Sequence, residues 1–158
     1  MSKPLRLQAV SSDDLISVSA CLQDAAIKVS DIAFIPKAYR FAFVGNRYRW
    51  EYDERGKHGQ RVRSACRFEN VLKTSSKNIP LNIENHVLSF LSIHVEAEAD
   101  GGATIFLLFS GDASIKLQVE CIEAFVEDIG APWRASRRPH HDENNNSSDT
   151  AKDESFEE

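Results

Sequence analysis

Paired metal-binding cysteines are absent from this chain. It contains no Cys-x-x-Cys or Cys-x-x-His, and its three cysteines, Cys21, Cys66 and Cys121, lie far apart. A structural zinc site draws its ligands from such pairs, so none is expected. An odd set of isolated thiols also argues against a disulfide framework, and the expectation is three small hydrophobes. Long apolar runs are missing as well. The longest is IFLLF at 105–109, against the roughly 18 to 20 residues that a membrane span needs. The opening MSKPLRLQAVSSDD shows no apolar stretch of the kind a secretory signal carries. The expectation is a cytoplasmic protein outside the membrane.

Catalytic signatures are equally scarce. Ser64 in RVRSAC and Ser110 in FSGD read as exposed hydroxyls, but neither sits in a Gly-x-Ser-x-Gly or Ser-x-x-Lys context. Gly101-Gly102 reads as a hairpin and lacks the spacing of a phosphate-binding loop. Glu96 and Glu98 are same-face neighbours on one strand. His86 and His94 are isolated, and His140-His141, beside Asp142 and Glu143, belong to a polar tail. The residues therefore assign no catalytic group, no metal and no cofactor. An enzyme whose site is assembled in space leaves no local motif, and it stands as an alternative.

The charge that is present is unevenly placed. The net charge is −5, yet residues 37–77 hold 11 Lys/Arg against 4 Asp/Glu, while 78–133 hold 1 against 9. Such a division marks either a nucleic-acid patch or basic strands beside acidic ones in a single sheet. With no overall positive excess, the second reading is favoured.

Periodicity supplies the elements. Ser11-Ser12-Asp13-Asp14 is a helix start, followed by Leu15, Val18 and Leu22 at helical spacing, which predicts a helix over about 12–24. Residues 25–34 alternate with a phase shift at Ser30-Asp31, the sign of a bulge or tight turn. Pro36-Lys37-Ala38 reads as a hairpin loop. A long strand over 39–52, bent at Gly45, is preferred to a two-residue turn at Gly45-Asn46. Residues 60–74 place Val62, Cys66, Phe68 and Leu72 on one face and Arg61, Arg63, Arg67 and Glu69 on the other. Further strands are expected at 86–98, with Val87, Leu91, Ile93 and Val95 inward, at 104–109 and at 114–120. Ile122, Phe125, Val126 and Ile129 follow i, i+3, i+4, i+7 before Gly130 and Pro132, which predicts a short helix over 121–129.

The resulting class is α+β, mostly β. It comprises an N-terminal helix, about six antiparallel strands forming a curved sheet or half-barrel, and a short C-terminal helix. Residues 1–133 form one globular domain, and 134–158, polar with Phe156 as the one large apolar residue, form a disordered acidic tail.

Two groups of residues are candidates for function. Arg47, Tyr48, Arg49, Trp50, Arg61, Arg63 and Arg67 interleave guanidinium groups with rings, as a single-stranded nucleic-acid platform does; the plainer reading is a solvated strand face. Gln23, Asp24, Lys28 and Asp31 form a possible polar cluster, or else tie down backbone at a helix end and a turn. The preferred function is a non-catalytic binding or adaptor module using a sheet face or edge. Its partner would be a protein or a second copy, with nucleic acid the less favoured partner.

The segments LQDAAIKVSDIAFIPKAYRFAFVGNRYRWE and IKLQVECIEAFVEDIGAPW resemble a bacterial family of small soluble proteins grouped as a domain of unknown function. The resemblance covers about 5–133. It implies a one-domain cytoplasmic protein and assigns no activity, cofactor or partner.

Overall fold

A computed structural model describes residues 3–54, 57–136 and 139. The chain opens with strand β1 (Arg6–Ala9) and helix α1 (Ser12–Leu22). Ser11 caps the helix by accepting from the Asp14 amide at 3.1 Å, while the Asp14 carboxylate accepts from the Val10 amide at 2.9 Å. These bonds satisfy donors that a helix start would otherwise leave bare. Leu15, Val18 and Leu22 form its buried stripe. The helix stops at Gln23, and Asp24 takes a left-handed φ of 66°, a conformation that Asp tolerates better than most residues.

The shift at Ser30-Asp31 is a single 3₁₀ turn over Val29–Asp31, which separates β2 (Ala26–Lys28) from β3 (Ile32–Ile35). A second 3₁₀ turn, Pro36–Ala38, leads into β4 (Arg40–Tyr48). Gly45 lies inside β4, where a Cβ would stand 2.7 Å from Ile27 Cγ1; its lack of a side chain lets β2 approach. Strand β5 (Gln60–Phe68) runs through Asn70, at φ 59°, into β6 (Val71–Lys77). Then come β7 (Val87–Ala97), β8 (Ala103–Phe109), β9 (Ala113–Val119) and β10 (Ala124–Arg134).

All pairings are antiparallel, in the order β1-β10-β5-β4-β2-β7-β8-β9-β6, with β3 also on β4. The sheet does not close. Phe68 faces Ala124 across β5/β10, and Val71 faces Val119 across β6/β9. The two pairs thus form one long ribbon, bent at 69–70 and 120–123. Two backbone bonds pin the bend: Glu69 N–H to Glu123 O, and Glu120 N–H to Asn70 O, both 2.9 Å. The core lies within the fold. Leu15, Val18 and Leu22 of α1 meet Phe41, Phe43, Phe68, Phe90, Ile105 and Leu117 there, and each large apolar side chain so buried contributes on the order of 1.5–3 kcal/mol.

Several expectations are corrected. The described residues hold ten strands, not six. β1 was not foreseen, 25–34 and 60–74 are each divided in two, and 124–134 is a strand. No helix forms over 121–129. The helical spacing of Ile122, Phe125, Val126 and Ile129 does not set the structure there. The 120–123 bend resets the phase instead, so Ala124, Val126 and Asp128 point inward. Leu72 and Leu91 are exposed, at 55% and 39%. Each directly follows an inward residue, Val71 or Phe90, and stands where the register shifts, between Val71 and Lys73 and between Phe90 and Ser92. Of the 134–158 tail, Arg134 ends β10 and Ala135 is buried. Residues 137, 138 and 140–158, including His140 and His141, lie outside the described residues.

Candidate functional site

Arg47 shares the parity of Phe41, Phe43 and Gly45 on β4, so its side chain points inward and is fully buried. Its five N–H groups are all used. Nε and Nη2 donate to the two oxygens of Asp128 at 2.8 and 2.9 Å; Nη1 and Nη2 donate to Glu51 at 2.9 and 2.7 Å; Nη1 also reaches Tyr48 O at 3.3 Å. Asp128 accepts further from Ser64 Oγ at 2.6 Å and from the Leu5 amide at 2.9 Å. Ser64, expected to be exposed, is therefore buried because its position on β5 faces Asp128. Burial pushes the Asp128 carboxyl up, but the bonds from Arg47, Ser64 and Leu5 together with the Arg47 charge outweigh it, and the group sits below its ordinary value. Glu51 behaves alike: burial raises it, and the Arg47 bonds, a backbone amide and the charges of Arg47 and Arg49 bring it down. Burial alone would lower Arg47, but its bonds to Glu51 and Asp128 hold it above its ordinary value. Each Arg47 N–H and each carboxylate oxygen of Asp128 and Glu51 has a hydrogen-bond partner, so the cluster ties the end of β4 to β5 and β10.

Tyr48, Arg49, Trp50 and Arg61 form a second set beside it. Tyr48 is buried and donates to Asp53 at 2.6 Å. Arg49 is buried; it donates to Gln60, and its guanidinium stacks 4.1 Å above the Tyr52 ring. Trp50 Nε1 donates to Gln23 O at 2.9 Å. Arg61 donates to Asp24 O at 3.3 Å and to Asn46 O at 2.9 Å. These bonds tie the end of α1 to β4 and β5. The expected polar cluster is thus divided. Gln23 and Asp24 serve this corner through their carbonyls, Asp31 pairs with Arg63 at 3.4 Å, and Lys28 is an exposed residue of β2.

The other parity of the same strands makes an outer face. Register places Arg63 between Asn46 and Ile129, Arg61 between Tyr48 and Trp133, and Arg67 between Ala42 and Phe125. Arg67 lies 4.1 Å over the Phe125 ring and bonds Glu69 at 3.0 Å, a carboxylate shared with Arg40. Arg63, Arg67, Ile129 and Trp133 are exposed. Helix α1 packs on the inner side, against β7, β1 and β4; on the outer side Tyr48, in register with Arg61, is buried at one end, while Arg63, Arg67, Ile129 and Trp133 are open to solvent. The seven sequence candidates therefore separate. Arg47, Tyr48 and Arg49 are interior, Trp50 and Arg61 are half-buried, and Arg63 and Arg67 are on the surface.

Sequence reasoning missed Asp128, Ile129 and Trp133. The parity of Arg47 with Phe41 and Phe43 was a usable signal that a buried acid had to exist. No group of three His, Cys, Asp or Glu is arranged for a metal among the described residues. A shallow hollow of about 120 Å³, lined by Lys73, Thr74, Ser75, Lys116 and Gln118, lies on the β6/β9 pair, away from both sets. No helix among the described residues is long and apolar enough to cross a membrane.

These features define an open antiparallel β protein, plugged by one helix and keyed at one end by a buried arginine between two acids. The chain belongs to the family described as "Protein of unknown function (DUF2948)", which its residues 5–141 match. No curated protein matches the chain, and no solved structure does.

Proposed function

We propose that this is a non-catalytic binding module whose partner, another protein, docks on the outer face of β10, β5 and β4. The observation that carries the reading is the juxtaposition of exposed Ile129 and Trp133 with exposed Arg63 and Arg67 on one sheet face. Apolar anchors among guanidinium groups are what protein interfaces concentrate. Nucleic acid is the weaker reading, because bases need free ring faces on which to stack. Phe125 lies under Arg67, Tyr52 lies under Arg49 and Tyr48 is buried, which leaves Trp133 as the exposed ring, short of the successive rings that a stacking platform uses. A cytoplasmic location belongs to the same proposal, and the three free thiols suit a reducing compartment.

The test is affinity capture followed by reconstitution from purified components. A partner should bind the wild-type protein and Lys116→Glu, and be lost with Trp133→Ala and with Arg63→Glu. Micromolar binding of oligouridylate that weakens steeply with salt and is lost in the same two variants would replace the protein partner by single-stranded nucleic acid.

A further inference from the structure

We infer that the segment received by this outer face is acidic, an inference that rests on the binding reading above. The face and its rim gather Arg6, Lys28, Arg40, Arg61, Arg63 and Arg67, while the carboxylates paired with them or acting on them include Asp24, Asp31, Glu69 and Glu127. Six cations against these four anions leave it positive on a chain whose net charge is −5.

The cations differ in how firmly they are held. Arg61 is committed to two backbone carbonyls. Arg63 holds only long contacts, 3.4 Å to Asp31 and 3.4 Å to Asn46. Arg67 and Arg40 share the single carboxylate of Glu69. Two guanidinium groups on one carboxylate leave positive charge unspent, and Arg63 can exchange its long contacts for a fork onto an incoming carboxylate. Arg67 is already oriented by the Phe125 ring beneath it, so little side-chain freedom is lost when it takes a new acceptor. Ile129 neighbours Arg63 across the ladder, and Trp133 lies beyond it along β10. The complementary ligand is therefore an extended peptide with carboxylates spaced among apolar side chains. A second copy docking through the same face would set these cations against one another, which disfavours it.

The experiment uses the ¹⁵N-labelled full chain and three probes: a short Glu/Asp peptide interspersed with Leu and Phe, its Gln/Asn counterpart, and oligouridylate. The acidic peptide should shift amides of β5 and β10, bind at least about tenfold tighter than the amide counterpart at low salt, and lose that advantage near 1 M salt, where screening is nearly complete. The double variant Arg63→Glu/Arg67→Glu should abolish the preference, while Lys73→Glu/Lys116→Glu should keep it. Equal binding of both peptides at β5 and β10 would overturn the acid preference and leave the docking face intact. Shifts confined to other strands, or none with any probe, would overturn both. Tighter binding of oligouridylate at this face would give it to nucleic acid, and a dimer dissolved by Trp133→Ala would give it to a second copy. If turning the acids of 142–158 to amides raised peptide affinity about tenfold or more, the face would belong to the acidic end of this chain, and the external ligand would be overturned.

Discussion

Arg47 and Asp128 meet in a two-pronged, fully buried ion pair although 81 positions separate them in the chain. The contact joins the end of β4 to the middle of β10, and Ser64 of β5, the strand between them, donates to the same carboxylate. Removing Arg47 leaves Asp128 buried without a cation, a change that costs about 3–5 kcal/mol, whereas removing Asp128 leaves Arg47 its two bonds to Glu51. Arg47→Met should destabilise by that order in urea titration, and Asp128→Asn by less. The double variant Arg47→Met/Asp128→Leu should lose clearly less than the sum of the single losses, because the two side chains are coupled. Additive losses would show that the pair does not act as a unit.

The same cluster sets an acid limit. Asp128 and Glu51 have folded-state values below their ordinary ones. Within the window between the folded and unfolded values, the unfolded chain binds more protons, so stability rises with pH. The contribution is complete above the unfolded carboxylate range of about 3.9–4.3 and disappears as the pH falls through the folded values. Thermal melts from neutral pH downward should show an acid limb that is shallower in Asp128→Asn, measured against that variant's own neutral stability. An unchanged slope would place the acid sensitivity elsewhere.

Thiol reactivity should follow burial. Cys66 is fully enclosed, and burial pushes its thiol far up. Cys21 is raised mainly by burial, which the nearby Arg47 opposes. Cys121 is exposed. A disulfide reagent on the native protein should modify Cys121 first, Cys21 slowly, and Cys66 only on unfolding. Early labelling of Cys66 would mean that the β4–β5–β10 core opens readily.

Phase along the strands gives a sharper test. Phe68 is fully buried next to Phe41, and Phe68→Ala should cost about 3–5 kcal/mol. Leu91 stands outward at the Phe90/Ser92 register shift, so Leu91→Ala should cost under about 1 kcal/mol. Denaturant midpoints in the reverse order would put the bulge elsewhere.

How far the sequence could be read depended on whether local spacing carried the information. The cap at Ser11, the strand through Gly45 and the alternation Val62–Cys66–Phe68 were legible, because each follows from neighbours within one element. The outward turns of Leu72 and Leu91 were not, since a one-residue bulge inverts every later side chain and leaves composition untouched. Strand β10 was hidden for a different reason. The spacing of Ile122, Phe125, Val126 and Ile129 fits a helix, and the side chains that let Asp128 face inward, Arg47 and Ser64, lie 81 and 64 positions earlier. The arginine–aromatic pattern was visible, but which arginines were interior depended on pairing. Arg47 sits in phase with Phe43, and Arg63 with Asn46, so one motif supplies both a buried key and a surface.

The end of β10 is held by pairs to β5 and by one bond beyond it. Trp133 pairs with Arg61 and Arg134 with Gln60, and Ala135, buried, donates its amide to Gly59 O at 2.9 Å. Beyond it, 137–158 contain one large apolar residue, Phe156, and little that could bury a core. A stop after Ser136 should lower Tm by less than about 4 °C, on the order of 1 kcal/mol for a domain of this size. A stop after Gly130 removes the pairs to Arg61 and Gln60 and the bond to Gly59, and it should cost several times more. If the first truncation were as damaging as the second, residues beyond 136 would have to contribute to the fold, and the boundary drawn from composition would move toward the C-terminus.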